Sequence, residues 1–217
     1  MRVTEAVNQR RSIRAFLDKP VESKVLEELL ITAARAPSGG NVQPWRIYVV
    51  NGPAMARFRD FRDSRKAPEN AAYEIYPQGL TEPYRSSRFK VGEDMYSLLG
   101  IPREDRGARI RRLMENYNFF GAPAAIFCFV DKQMGPPQWS DLGMFLQTFM
   151  LLATEAGLDT CAQEAWAARP DTVAEFVGAP PEQMLFCGVA IGFQDPAAPV
   201  NSLVSEREPL NGFATFL

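Results

Sequence analysis

The 217-residue chain contains no histidine. That absence removes Ser-His-Asp and Cys-His nucleophile systems. It also removes imidazole-ligated zinc and non-haem iron sites, so no metal is expected. The side chain that most often moves protons near neutral pH is gone too. An enzyme built on this sequence must leave its protons to a cofactor, a carboxylate, a phenol or solvent. Cysteine is scarce: Cys128, Cys161 and Cys187 are odd in number, widely spaced and without a CxxC pair. They read as free thiols in a reducing, cytoplasmic compartment. No run approaches the roughly 18 apolar residues of a membrane span. The polar opening MRVTEAVNQRRSIR lacks the apolar stretch of a secretion signal.

An excess of one charge is missing as well. With 24 Lys plus Arg against 26 Asp plus Glu, the net charge of -2 gives no reason to expect nucleic acid or an anionic membrane as partner. Neither GxGxxG nor GxxxxGK[ST] occurs, which removes the usual dinucleotide and P-loop signatures. What remains is an ordinary globular composition, 46% hydrophobic and 23% charged, able to bury a core without staples. The length suits a single domain over 1–217.

Residues 3–9 read as a short helix leading into a basic cluster. Residues 22–35 read as a stronger one, with Val25, Leu26, Leu29, Leu30, Ala33 and Ala34 on one face. Arg46 to Val50 is β-branched and aromatic and predicts a strand. A helix is expected over 53–62. The segment 64–88 has no clear period and carries Pro68, Pro77 and Pro83 among Tyr73, Tyr76 and Tyr84. It opens a variable excursion, or lid, spanning about 64–118. Within it, residues 103–116 alternate Arg with acids and predict a solvated helix. Ala124–Val130 and Met184–Ile191 are continuously apolar and predict buried strands. Residues 140–157 predict a helix apolar nearly all round, suited to a core or an oligomer interface. A short helix over 170–178 starts at Pro170. The tail, about 193–217, is polar and Pro-rich yet ends in Phe213, Phe216 and Leu217, so it needs a surface to lie on. Few helices sit between successive strands, which indicates α+β or a mixed-sheet α/β fold, not a Rossmann fold.

Four groups of residues can carry chemistry. Arg10, Arg11, Ser12 and Arg14 place three guanidiniums and a hydroxyl within about one and a half helical turns, suited to phosphate or to polar heterocycle edges. Read by charge pattern alone, they are a solvated helix end. Pro37, Ser38, Gly39, Gly40, Asn41 and Gln43 form a turn before Trp45, with glycines that admit a flat ligand and uncharged donors and acceptors. The alternative is a tight helix-to-strand turn with Trp45 as core plug. In Gly157-Leu158-Asp159-Thr160-Cys161-Ala162-Gln163-Glu164, Glu164 is either an acid/base or a surface carboxylate. Arg207, between Glu206 and Glu208, is by itself a surface arginine.

The order and distances of RRSIR, PSGGNVQPW, the GLDT segment and the late arginine resemble the nitroreductase family of FMN-dependent oxidoreductases. The resemblance covers nearly the whole chain and is weakest at 64–118. It implies a mainly antiparallel mixed sheet flanked by helices, with a tail extending onto a partner. It implies an obligate homodimer with FMN at the interface and NADPH or NADH as electron donor. Arg10, Arg11, Ser12, Arg14 and Arg207 would hold the flavin phosphate and ring edge. Pro37, Ser38, Gly39, Asn41 and Gln43 would reach the flavin from the other subunit. Ala162, Gln163 and Glu164 would lie along its face, with backbone N–H near Glu164 aimed at N5. Ser205 stands where some members carry lysine. Gln147, in an apolar helix, would be a buried polar group beside the flavin. Tyr73, Tyr76, Tyr84, Phe119 and Phe120 are candidates to stack on a flat substrate, or are packing residues of a long loop. The implied activity is nitroaromatic reduction to hydroxylamine or amine by ping-pong hydride transfer. Quinone, free flavin, enoate or halogenated aromatic acceptors, or flavin binding without turnover, are the alternatives.

Overall fold

The computed structural model describes all residues from Met1 to Leu217. Four strands form one sheet in the order β1-β2-β4-β3: β1 (Arg46–Asn51), β2 (Ala124–Asp131), β3 (Asp159–Gln163) and β4 (Gln183–Gly192). Every neighbouring pair is antiparallel. β2 and β4 are central and buried on both faces, as their unbroken apolar runs require. Their register shifts at Cys128/Phe129, where Phe186 is an extra residue in β4.

Side chains alternate across the sheet and divide the core. On one face Ala124, Ile126, Cys128, Val189 and Ile191 meet α2 (Ser23–Ala33) and the long α6 (Pro136–Glu155) through Leu26, Leu29, Leu142, Phe145 and Phe149. On the other, Ala125, Phe127, Phe129 and Ala190 meet α3 (Pro53–Ser64) and α7 (Pro170–Val177) through Met55, Phe58 and Val173. Trp166 fills the centre of this second layer, with Phe58, Phe119, Phe127 and Tyr117 ringed round its indole. Gly188 makes the room. A methyl group built there would overlap the Trp166 ring.

α6 is not apolar all round. Leu142, Phe145, Leu146, Phe149 and Ala153 face the core, while Gly143, Met144 and Gln147 are exposed. The excursion is more regular than its sequence suggests, holding α4 (Tyr84–Leu98) and α5 (Arg106–Met114). Glu69 ties its first stretch down, accepting the N-terminal N–H groups of α7 from Asp171 at 2.8 Å and Thr172 at 3.0 Å. α1 (Val3–Gln9) ends before the basic cluster, and α8 (Leu210–Phe213) is a single turn in the tail. No helix is long and apolar enough to cross a membrane.

Candidate functional site

The basic cluster starts at the helix end, where the Arg10 N–H caps α1 by donating to the Ala6 carbonyl at 2.9 Å, and runs on as extended chain. Ser12 bridges Thr160 in parallel, and the Ile13 N–H donates to the Thr160 carbonyl at 3.0 Å. Residues 10–14 thus extend the sheet beyond β3. Charge pattern cannot report such edge pairing, because the partner lies far away in the chain. Ile13 turns into the core at 1% exposure, and the alternation of an extended chain sends Arg10, Ser12 and Arg14 to the other side.

These residues line a cleft of about 1040 Å³ together with Arg11, Gln147, Asp159 and Arg207. The salt bridges of the chain involve none of Arg10, Arg11, Arg14 or Arg207. Burial, then the neighbouring Arg207, pushes the Arg10 guanidinium below its ordinary range. Arg207 is steadied by Ser205, whose hydroxyl accepts from its Nη1 at 2.8 Å. Ser205 therefore orients an arginine. Asp159 is the cleft's acid. Burial raises its carboxyl, opposed by the Gln194 N–H, which donates at 2.9 Å, and by Arg11. The site so built is a concave, cation-rich socket for an anion.

Next along β3, Ala162 is exposed, Gln163 is buried and Glu164 is exposed. The Gln163 amide turns away from the surface and donates to the Asn116 carbonyl at 2.7 Å. Partial desolvation raises the Glu164 carboxyl above its ordinary range. Gln147 is exposed in the cleft, correcting the expectation of a buried amide: it lies on the face of α6 opposite the core.

The turn at 37–43 stands elsewhere. Gly40, Asn41 and Gln43 all take positive φ, at 57°, 57° and 48°. The Ser38 hydroxyl accepts the Gln43 N–H at 3.0 Å, and the Gln43 side chain donates to the Asn41 carbonyl at 3.1 Å. The buried carboxylate of Asp141, 4% exposed, accepts the Gly39 N–H with both oxygens at 3.3 Å. Pro37, Gly39, Asn41 and Gln43 are exposed, and Trp45 stacks on Phe145 with ring centroids 4.9 Å apart. The arginine cleft meets α6 at Gln147 and Thr154, while the turn meets it at Asp141. Asp141 lies about 9 Å from Gln147 and about 20 Å from Thr154 along a helix rising 1.5 Å per residue, and none of residues 37–43 lines the cleft. Within one chain the two motifs do not share a site.

Residues 7–193 match the model of the Nitroreductase family. The chain belongs to that family. It is 36% identical to a 4-nitrobenzoate reductase of Pseudomonas putida, over 97% of this chain and 93% of that one. It is 33% identical to a nitrobenzene nitroreductase of Ectopseudomonas oleovorans, over 99% and 96%. Among solved structures, the FMN and NADPH-dependent nitroreductase NfnB from sphigopyxis sp. strain HMH superposes with a TM-score of 0.95 at 43% identity, covering 100% of this chain and 99% of that one.

In this nitroreductase the aromatic candidates divide. Phe119 is 0% exposed and Phe120 6%, so both are core residues with no face for a substrate. Both take positive φ in the 3-10 turn after α5, which turns their rings inward. Tyr73 is half-buried against Trp139 and Phe186, its hydroxyl donating to the Phe186 carbonyl. Tyr84 and Tyr76 are exposed, the latter beneath Arg88 with its guanidinium 3.9 Å from the ring centroid. Sequence reasoning missed Asp141, Asn201 and Arg112. Asp141 had a signal, an acid directly beside the apolar run of α6. Asn201 and Arg112 had none, because their partners are distant in sequence.

Proposed function

We propose that this chain is an FMN-dependent NAD(P)H oxidoreductase that reduces nitroaromatic compounds, to hydroxylamine or amine, as a cytoplasmic homodimer. The observation that carries the reading is the convergence of Arg10, Arg11, Arg14 and Arg207, none in an ion pair, on one cleft at the sheet edge. Guanidiniums outside any ion pair, outnumbering the one cleft carboxyl Asp159, fit a phosphate, and the hydroxyl of Ser12 adds a further contact. Exposed Ala162, small and flat beside them on β3, leaves space for a ring system. The relatives' names, nitrobenzoate and nitrobenzene reductases, point to the same acceptors. FMN, when bound, supplies the two-electron hydride chemistry that the polypeptide lacks.

The polypeptide's share is position and charge. Arg10, Arg14 and Arg207 hold the phosphate end, and the cationic strand favours the extra negative charge that the reduced cofactor carries. Ser38, Gly39, Asn41 and Gln43 reach the flavin from the second subunit, which is why the turn is preformed and presents Gly39, Asn41 and Gln43 exposed. The tail past 193, with Phe213 67% and Phe216 83% exposed, lies on that subunit. One open site serves nicotinamide and acceptor in turn, giving ping-pong kinetics, and solvent supplies the protons. The three buried free thiols suit a reducing compartment.

Absorbance of the purified protein, followed by anaerobic NADPH titration and addition of 4-nitrobenzoate, tests this. Flavin colour that NADPH bleaches and the nitro compound restores is expected. Protein that stays colourless with added FMN, or bound FMN that NADPH leaves oxidised, overturns it.

A further inference from the structure

Arg112 belongs to α5, in the excursion, yet it reaches back to the basic strand. Its Nη2 donates to the Arg14 carbonyl at 2.8 Å. On the other side of the same residue, the Arg14 N–H donates to Asn201 Oδ1 at 2.9 Å. Asn201, 5% exposed, is itself held by donation to the Ala15 and Asp195 carbonyls at 2.8 and 2.9 Å. The backbone of residue 14 is therefore gripped through both its N–H and its C=O, by groups from the excursion and from the tail.

A backbone grip needs a donor, not a full charge, and Arg112 is an expensive donor. Its Nε is buried without a partner, and its guanidinium lies over the Phe120 ring at 5.0 Å. It forms none of the chain's ion pairs, although Glu115 and Tyr96 lie within electrostatic range. Burial first and Arg14 second push it below the ordinary guanidinium range. A desolvated cation beside another cation destabilises the empty protein unless an anion shares the region.

We propose, resting on the FMN reading above, that Arg112 is a positioning residue for the flavin phosphate site: it fixes Arg14 from behind and lends its positive charge to anion binding in the cleft. It does not line that cleft and acts through Arg14. The excursion thereby also governs cofactor retention.

FMN titrations and thermal melting of the FMN-free protein, on wild type, Arg112→Gln and Arg112→Lys, test the proposal. Arg112→Gln should bind FMN at least about tenfold more weakly, a loss of about 1.4 kcal/mol, with melting of the FMN-free protein unchanged or raised. Arg112→Lys, which keeps the charge, should restore binding to within about threefold, as a charge-assisted contact can tolerate a changed geometry better than a lost charge. Wild-type affinity in Arg112→Gln overturns the proposal. So does Arg112→Lys as weak as Arg112→Gln, which would leave the charge without a role. Failure of Arg112→Gln to fold overturns it too, by making Arg112 a structural peg. Wild-type protein that takes up no FMN sinks the FMN reading itself, and the proposal with it.

Discussion

The basic strand at 10–14 and the turn at 37–43 are both polar, yet they are built in opposite ways. The strand is held by the sheet edge, the tail and α5, and its arginines converge within one chain. The turn is exposed, holds itself in shape by positive φ and local hydrogen bonds, and has one distant support, Asp141. The first is a finished socket. The second is a preformed, exposed surface. The difference teaches that half of the site is tertiary and the other half, in the proposed dimer, is quaternary.

Cutting the chain after Pro199 should separate these halves most severely. It removes Asn201, Arg207 and the apolar tail end together. Size-exclusion chromatography should show monomer, with FMN lost on desalting; a flavin-loaded dimer would break the two-subunit picture. Next in size, Arg14→Ala should weaken FMN binding by about 1.5–3 kcal/mol while leaving the dimer intact, since a charged hydrogen bond is lost in the socket alone. Unchanged affinity by titration would remove Arg14 from the site. Gly40→Ala should act on the turn alone. Its φ of 57° is strained for any residue with a Cβ, so denaturant melts should show about 1–2 kcal/mol of lost stability.

The smallest effect concerns the socket's acid. Burial raises the Asp159 carboxyl in the folded chain. The folded state thus binds that proton more tightly than the unfolded one. Stability from this group is full below the ordinary carboxylate range and is lost as pH rises through the raised value. Asp159→Asn should flatten that slope in pH-dependent melts of the FMN-free protein. An unchanged slope would show that Asp159 is not its source.

Much of the fold was legible where one physical signal dominated. β2 and β4 follow from continuous apolarity, α2 from its stripe, and β1 from β-branched residues. α4 was not. It buries no residue fully, carries Gly92 and shows no apolar face, so periodicity had nothing to report. The solvated reading of 103–116 fits Arg106 and Arg111, which are exposed, but not Arg112, whose inward turn depends on Arg14 and Phe120. Arg10 to Arg14 stand out by residue type, and Arg10 does cap α1, but the pairing of Ser12 with Thr160 has no local signal because it is nonlocal. For Phe119 and Phe120 the packing alternative holds: residue type alone leaves both readings open, and burial in the core decides between them.

The hollow at Gly188 has a practical bearing on any effort to retune this enzyme. Gly188 pairs with Gln163, and the indole it accommodates begins two residues past Glu164. A variant library randomised at 188 would therefore displace Trp166 and the turn at 164–168, and nearly all of its members should be inactive. The exposed first turn of α4, away from Val91 at the cleft and Lys90 at the tail, has no such neighbour to displace and is where diversity can be introduced and the protein still recovered.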